Sequence, residues 1–248
     1  LPFEVVCITG QDKGKKRKEL NEKIKNEDGL IIIGTSALIS DNMSFNKLAL
    51  VVTDEQHRFG VKQRKALFDK GVHPHTIVMS ATPIPRTLAL ILYGDMKLSV
   101  IKDVPKSRLV IKNSLIKKNK RKAAFKFIKG EIEKGHQAYI ICPLVESSEK
   151  SEGENVTEYE KIAREFFGGD ISIDVLHGRM KSLEKNEIMD RFINNKTQLL
   201  ISTTVIEVGV NVPNATVIMI EDANRFGLAQ LHQLRGRVGR GEWQSYCI

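Results

Sequence analysis

The sequence predicts an α/β protein of two lobes, each a parallel sheet flanked by helices. Short apolar runs alternate with helix-length amphipathic stretches from one end to the other. Most of those runs end in polar or charged residues, as strands do at the ligand-binding edge of an open parallel sheet. A polar break, Asp103-Val-Pro-Lys-Ser-Arg108, interrupts the alternation near the middle. These observations set the expected organisation: a first lobe over 1–103, a linker over 104–110 and a second lobe over 111–248.

The totals agree. The 248 residues suit two domains of moderate size, and 41% hydrophobic with 28% charged residues is ordinary for a globular chain. No run of 18 apolar residues exists, so no helical membrane span is expected. Cys7, Cys142 and Cys247 are scattered and odd in number, which gives neither a metal spacing nor a disulfide framework and favours a reducing compartment. The net charge of +9 points to a polyanionic partner, nucleic acid first. A chain that opens on Leu1 and stops in Ser245-Tyr-Cys-Ile248, the sequence of an interrupted strand, is expected to be a piece of a longer protein.

Taken in order, Pro2–Thr9 reads as a strand. Gly10-Gln-Asp-Lys-Gly14-Lys15-Lys16 looks at first like a phosphate loop. It is one residue short between the glycines, and Lys16 stands where a Ser or Thr must hold Mg²⁺, so that reading fails. A backbone phosphate contact and a solvated loop both stay open for this turn. Lys15–Asn26 is a charged helix with Leu20 and Ile24 inward at i, i+4, ended by Gly29. Strands follow at Leu30–Ile33, Leu48–Thr53 and Thr76–Met79, with a basic helix at 62–70 between the last two. Pro85 suits the first turn of a helix at 86–93.

In the second lobe, Lys117–Lys122 is a basic run read as a solvated face or helix entry. Helices are expected at Ala123–Lys134, Thr157–Phe167 and Leu183–Asn194, the last capped by Ser182. Strands are expected at Gln137–Cys142, Ile171–Leu176, Gln198–Ser202 and Thr216–Ile220, and a mobile loop at Glu146–Glu154.

Two stretches carry chemistry. Leu48–Thr53 predicts a strand buried on both faces. It delivers Asp54 and Glu55 to a carboxyl edge, where one carboxylate can hold Mg²⁺ partly through water and the other can orient an attacking water. In Gln230–Gly241, Arg237 and Arg240 stand three apart, each after a glycine. Glycines at 236, 239 and 241 cost a helix about 1 kcal/mol each against alanine. Their presence predicts a helix end or a close backbone approach. Arginine's planar fork matches phosphate oxygens, and such a finger contributes about 10³ to 10⁵ in phosphoryl-transfer rate.

These residues resemble superfamily 2 helicases. Asp54-Glu55-Gln56-His57 resembles the Walker B box, Ser80-Ala81-Thr82 the third motif and Gly34-Thr35 a nucleic-acid-touching motif of the first lobe. Thr203-Thr204-Val-Ile-Glu207-Val-Gly209-Val-Asn211-Val-Pro213 resembles the fifth, with Asn211 where Asp is usual. Gln233-Leu-Arg-Gly-Arg237-Val-Gly-Arg240 matches the sixth. Asp-Glu-Gln-His-Arg-Phe-Gly-Val at 54–61, Ala-Thr-Pro-Ile-Pro-Arg-Thr at 81–87 and the run at 226–240 are similar to the RecG family, bacterial ATP-dependent helicases that remodel branched DNA.

The resemblance implies two RecA-like lobes, the first lacking its phosphate-loop strand and helix. It implies ATP and Mg²⁺, with Asp54 on the metal, Glu55 activating water, and Arg237 and Arg240 reaching the nucleotide from the second lobe. Gln56, His57, Ser80, Thr82, Glu207, Gly209, Asn211 and Gln233 would couple nucleotide state to grip. Gly34, Thr35, Arg179, Thr203 and Thr204 would contact DNA. The partner would be forked or junction DNA, the setting a bacterial cytoplasm, and the parent motor a monomer with no membrane contact. Without a Gly-x-x-x-x-Gly-Lys-Ser/Thr loop, this piece alone is expected to hydrolyse ATP poorly. The alternatives are the motor of a transcription-repair coupling factor, an RNA helicase, or a basic DNA-binding module without enzymatic activity.

Overall fold

The computed structural model describes residues 3–40, 42–55, 63, 66, 67, 69–80, 97–101, 103, 108–143, 152–203 and 211–248. The chain divides into two compact units, 1–92 and 93–248.

The first unit opens with a β-α-β turn of chain. Strand β1 (Glu4–Ile8) pairs in parallel with β2 (Leu30–Gly34), and helix α1 (Gly14–Asn26) connects them. Ile24 is buried and Leu20 packs beside it, as the i, i+4 spacing requires, against Val6, Ile8 and Met43. The Gly10–Lys16 turn closes on itself. Asp12 accepts from the Thr9 N–H at 2.8 Å and pairs with Lys16 at 2.7 Å. The Lys16 hydrogen bond, then that from Thr9, holds the Asp12 carboxyl down at about 2. The helix ends at a Glu27 cap rather than at glycine, and Gly29 takes a left-handed φ of 71° just before β2.

Strand β3 (Leu50–Thr53) pairs in parallel with β4 (His75–Val78), in register from Leu50 opposite His75 to Thr53 opposite Val78. The expectation that this run is buried on both faces is corrected. Val51 and Thr53 are buried, but Leu50 and Val52 are about half exposed, at 52% and 51%. The side chains of a strand alternate faces, and only one face of this strand is covered. Among the described residues β2 pairs only with β1, and β3 only with β4. A cleft of about 690 Å³ lies between β2 and β3, lined by Ile31, Ile33, Leu50 and Val52. The helices expected at 62–70 and 86–93 lie largely or wholly outside the described residues.

The second unit is a three-layer sandwich. Six parallel strands run in the order β5-β10-β9-β6-β8-β7. They are β5 (Lys112–Asn113), β6 (Gln137–Ile141), β7 (Ile173–Leu176), β8 (Leu199–Ser202), β9 (Ala215–Ile220) and β10 (Tyr246–Cys247). The central strands β6, β8 and β9 are buried on both faces, which is why they read as unbroken apolar runs. One face packs on α2 (Arg121–Glu133) and α3 (Glu152–Phe167) through Phe125, Ile128, Tyr159 and Phe167. The other packs on α4 (Ser182–Ile193) and α5 (Leu228–Arg235) through Ile188, Phe192 and Leu234. Two expectations are corrected here. The N-cap of α4 is Lys181, with no side-chain cap bond, and Ser182 is the first helical residue. Helix α3 begins at Glu152, inside the stretch read as loop. The linker residues 104–107 lie outside the described residues.

Candidate helicase motor site

In the first unit, the register of β3 and β4 sets two motif ends level. Asp54 and Glu55 follow β3, and Met79 and Ser80 follow β4, with the Met79 N–H donating to the Thr53 carbonyl at 2.8 Å. Asp54 is exposed, and its Oδ1 accepts the Glu55 N–H at 2.8 Å. Glu55 sits at φ 46°, a left-handed conformation that a residue of its size rarely adopts. Strain of that kind clusters where a side chain must be aimed. Gly34 and Thr35, at the end of β2, line the same cleft as Asp54. Gly34 also has a packing reason to be glycine, since a Cβ there would lie 2.6 Å from the Ile8 carbonyl oxygen. Gln56, His57 and Thr82 lie outside the described residues.

In the second unit, the expected residues fall at the two ends of the parallel sheet. At the carboxyl end, His177-Gly178-Arg179 follows β7 and Thr203 follows β8, and the Thr203 N–H donates to the Leu176 carbonyl at 3.2 Å. Arg179 is exposed there, whereas Thr203 is only 1% exposed. At the amino end, Asn211 and Pro213 lead into β9, and Gly239 and Gly241 lead into β10. Asn211 is exposed. Thr204, Glu207 and Gly209, which would join the two ends, lie outside the described residues.

The sixth-motif segment shows why it carries glycines. Gly236 caps α5, and its N–H donates to the His232 carbonyl. Gly239 stands at φ 74°, with Ile111 2.8 Å from where a Cβ would be. A Cβ on Gly241 would meet the Pro213 carbonyl oxygen at 2.4 Å. A left-handed φ beside the Ile111 side chain accounts for glycine at 239 and the Pro213 carbonyl for glycine at 241, while Gly236 ends the helix at an ordinary φ of −67°. Arg240 is exposed, its Nε donating to the Gly236 carbonyl at 3.0 Å, and Arg237 is half-buried. Burial pushes the Tyr139 phenol up, with Arg237 and Arg240 close enough to oppose that rise. Gln233 lies one turn earlier, on α5.

Two contributors escaped the sequence reading. Arg108, read as linker, donates from Nε to the Gly239 carbonyl at 2.6 Å and so ties the start of the unit to the arginine segment. A single arginine after a proline carries no signal of that. Glu221, at the end of β9, is buried yet receives both Arg121 nitrogens and the Tyr159 hydroxyl. The contact bridges 100 residues of sequence, so no local spacing could show it.

The DEAD/DEAH box helicase family matches residues 2–91, and the helicase conserved C-terminal domain family matches residues 119–242. Among curated proteins, ATP-dependent DNA helicase RecG of Bacillus subtilis (strain 168) is 50% identical over 98% of this chain, and RecG of Streptococcus pneumoniae serotype 4 is 49% identical over 99%. The chain spans about a third of the length of these relatives, 36% and 37%. A solved structure described as RecG bound to a three-way DNA junction superposes with a TM-score of 0.75 at 39% identity, covering 99% of this chain and 31% of that one. Dbp5 of S. cerevisiae, at 17% identity and a TM-score of 0.67 over 100% of this chain and 64% of its own, shares the fold. The chain belongs to the helicase family, with a DEAD/DEAH box segment in its first unit, a helicase C-terminal domain in its second, and RecG among its relatives.

Proposed function

We propose that this chain is the motor part of a bacterial ATP-dependent helicase that remodels branched DNA. The observation that carries the reading is the sixth-motif segment. Glycine is required at 239 by a left-handed φ and at 241 by the Pro213 carbonyl, and Arg240 between them is left exposed. That arrangement suits charge stabilisation on a transferring phosphoryl group. The likeness to a RecG solved on a three-way DNA junction, 39% identical over 99% of this chain, supports branched DNA as the substrate class.

In this reading Asp54 and Glu55 serve the same phosphoryl transfer. Their carboxylates are hard oxygen donors, and Mg²⁺ is commonly held by one or two carboxylates together with phosphates and water. Asp54 would hold the ion, whose chemistry is to neutralise charge on the phosphates. Glu55, aimed by its unusual backbone, accepts a proton from the attacking water. Arg237 and Arg240 stabilise charge on the transferring group, with Gln233 beside them. Gln56, His57, Ser80, Thr82, Glu207, Gly209 and Asn211 relay nucleotide state. Gly34, Thr35, Arg179, Thr203 and Thr204 line the DNA path, with buried Thr203 shaping its loop and exposed Arg179 meeting phosphate.

The test is DNA-stimulated ATP hydrolysis by the intact protein that carries this chain. Glu55→Gln and Arg240→Ala should each lower turnover by about 10³-fold or more while forked-DNA binding persists. Unchanged turnover in both would sink the assignment. The 248-residue chain alone, which holds no Gly-x-x-x-x-Gly-Lys-Ser/Thr sequence, should show little hydrolysis in the same assay.

A further inference from the structure

Between Asp103 and Glu131 the sequence holds ten Lys and Arg residues and no acid, more than the whole chain's net charge of +9. The rest of the chain is close to neutral. The positive excess therefore sits in one stretch, which forms the entry to the second unit and helix α2.

The structure shows where these cations go. Arg121 is engaged with Glu221, Lys118 with Asp222 at 2.7 Å, and Arg108 with the Gly239 carbonyl. Lys122, Lys126 and Lys129 are spaced i, i+4, i+7 and form one outward stripe on α2, opposite the face that buries Ala124, Ile128 and Glu131. No carboxylate of the described residues pairs with any of the three. Lys117 and Lys120 continue the stripe at the helix entry, which lies at the carboxyl end of the sheet because Lys118 and Arg121 reach the residues that follow β9.

Fold stability does not account for this arrangement. The first turn of α2 holds cations and no acid, the wrong sign for the positive end of a helix dipole. Like charges at i, i+4 also repel. Helix α1 holds more lysine, five against three, but three of its five pair with carboxylates: Lys16 with Asp12, Lys15 with Glu19, and Lys23 with Glu4 and Glu27. On the α2 stripe none of the three lysines is paired, although Glu133 stands at i+4 from Lys129 on the same face. A phosphate backbone supplies partners, with one charge per about 3.4 Å of each strand. At a rise of 1.5 Å per residue, Lys122 to Lys129 spans about 10 Å, the length of about three phosphates.

We propose that the outward face of α2, formed by Lys122, Lys126 and Lys129 with Lys117 and Lys120, is a second DNA-backbone contact. It lies on the side of the sheet away from α5 and the arginine segment. This rests on the DNA-motor reading and extends the DNA path from the carboxyl-end loops down the flank of the second unit. It serves duplex binding and not ATP chemistry.

The experiment measures binding of a mixed-sequence DNA duplex by this chain from 50 to 300 mM salt, by fluorescence anisotropy. Lys122→Gln/Lys126→Gln/Lys129→Gln should weaken binding about 10- to 100-fold at 0.1 M salt. It should also flatten the slope of log K against log salt by about 3, near 0.9 for each phosphate that no longer meets a cation. A control that removes three cations elsewhere, Lys18→Gln/Lys25→Gln/Lys196→Gln, should leave the slope within about 1 of the parent. Circular dichroism and a melting curve should match the parent in both variants, since none of the six side chains is buried. Unchanged affinity and slope in the α2 variant overturns the inference and leaves the motor reading standing. Equal losses in the two variants overturn it as well, because only net charge would then matter. Displacement of DNA by polyglutamate at equal charge would point to an acidic protein partner and also overturn it. Failure of the parent chain to bind duplex DNA at any of these salts overturns the inference, whereas the motor reading stands or falls on ATP hydrolysis by the intact protein.

Discussion

The Arg121 guanidinium forks the Glu221 carboxylate, Nε to Oε1 at 2.8 Å and Nη2 to Oε2 at 2.9 Å. The Tyr159 hydroxyl donates to the same Oε1 at 2.7 Å, so one buried carboxylate joins α2, α3 and the end of β9. A buried charge stripped of its partner is costly, about 3–5 kcal/mol in closed sites. Arg121 keeps 30% of its side chain exposed, so Arg121→Ala should cost less, about 2–4 kcal/mol. Arg121→Met combined with Glu221→Leu should cost less than Arg121→Ala alone, because no orphan charge remains. Urea unfolding of the three proteins checks this. A double variant that is worse than the single would show that the network is held by something other than charge pairing.

Gly241 gives a sharper test of the arginine segment. Any side chain there collides with the Pro213 carbonyl, a backbone atom that cannot rotate away. Gly241→Ala should therefore separate the start of β9 from the segment carrying Arg240, at a cost of about 1–3 kcal/mol. Gly130→Ala is the comparison. Nothing lies within 4 Å of a Cβ at that helical position, so it should stabilise slightly, by about 1 kcal/mol or less. Thermal melts of both variants decide the point, and equal destabilisation would contradict the packing described.

The parts of this molecule that were legible in sequence are those fixed by local rules. Apolar runs such as 199–202 and 215–220 gave their strands because burial on both faces leaves few polar side chains in them. The glycines at 236, 239 and 241 announced a helix end or a tight approach, and both are present. What failed depended on distant partners or on the backbone path at a single residue. Leu50 and Val52 read as buried because an apolar run carries no record of which face is covered. Ser182 read as a cap because its residue type fits, but the chain turns into the helix one residue earlier, at Lys181. Within the candidate site, that Asp54 follows a strand and that Arg237 and Arg240 follow a helix end could be read from the apolar run and the glycines. The grip of Arg108 on Gly239 was not, being a side chain reaching across 131 residues.

Acid should unfold the second unit through two carboxylates. At Asp174 burial alone would raise the carboxyl, but bonds from Arg191 and Thr197 outweigh it and hold it below its usual value. Glu131 behaves alike: burial raises it, and Lys134 and His136 pull it down further than that. Both therefore titrate lower in the folded than in the unfolded chain. Their stabilisation is complete above the unfolded carboxylate range, about 3.9–4.3, and is lost as pH falls through the lower folded values. Stability should decline below about pH 4. Asp174→Asn should lower stability at pH 7 and flatten the decline. Urea midpoints between pH 2.5 and 7 measure both, and an unchanged slope in that variant would remove Asp174 as a contributor.

The three thiols report on the two units separately. Cys7 is exposed on β1 of the first unit, while Cys142 is 4% exposed at the end of β6 in the second. Burial pushes the Cys142 thiol up to about 12 and raises Cys247 as well. Since the thiolate is the reactive form, an aromatic disulfide reagent at pH 8 should modify Cys7 first and Cys247 more slowly. Cys142 should react only when the second unit opens. Its labelling rate in increasing urea should then follow the loss of that unit's circular dichroism. Adding Arg121→Ala should bring both transitions to lower urea together, because Arg121 and Glu221 lie beside Cys142. Three thiols that react at one rate without denaturant would mean that the end of β6 is open in solution.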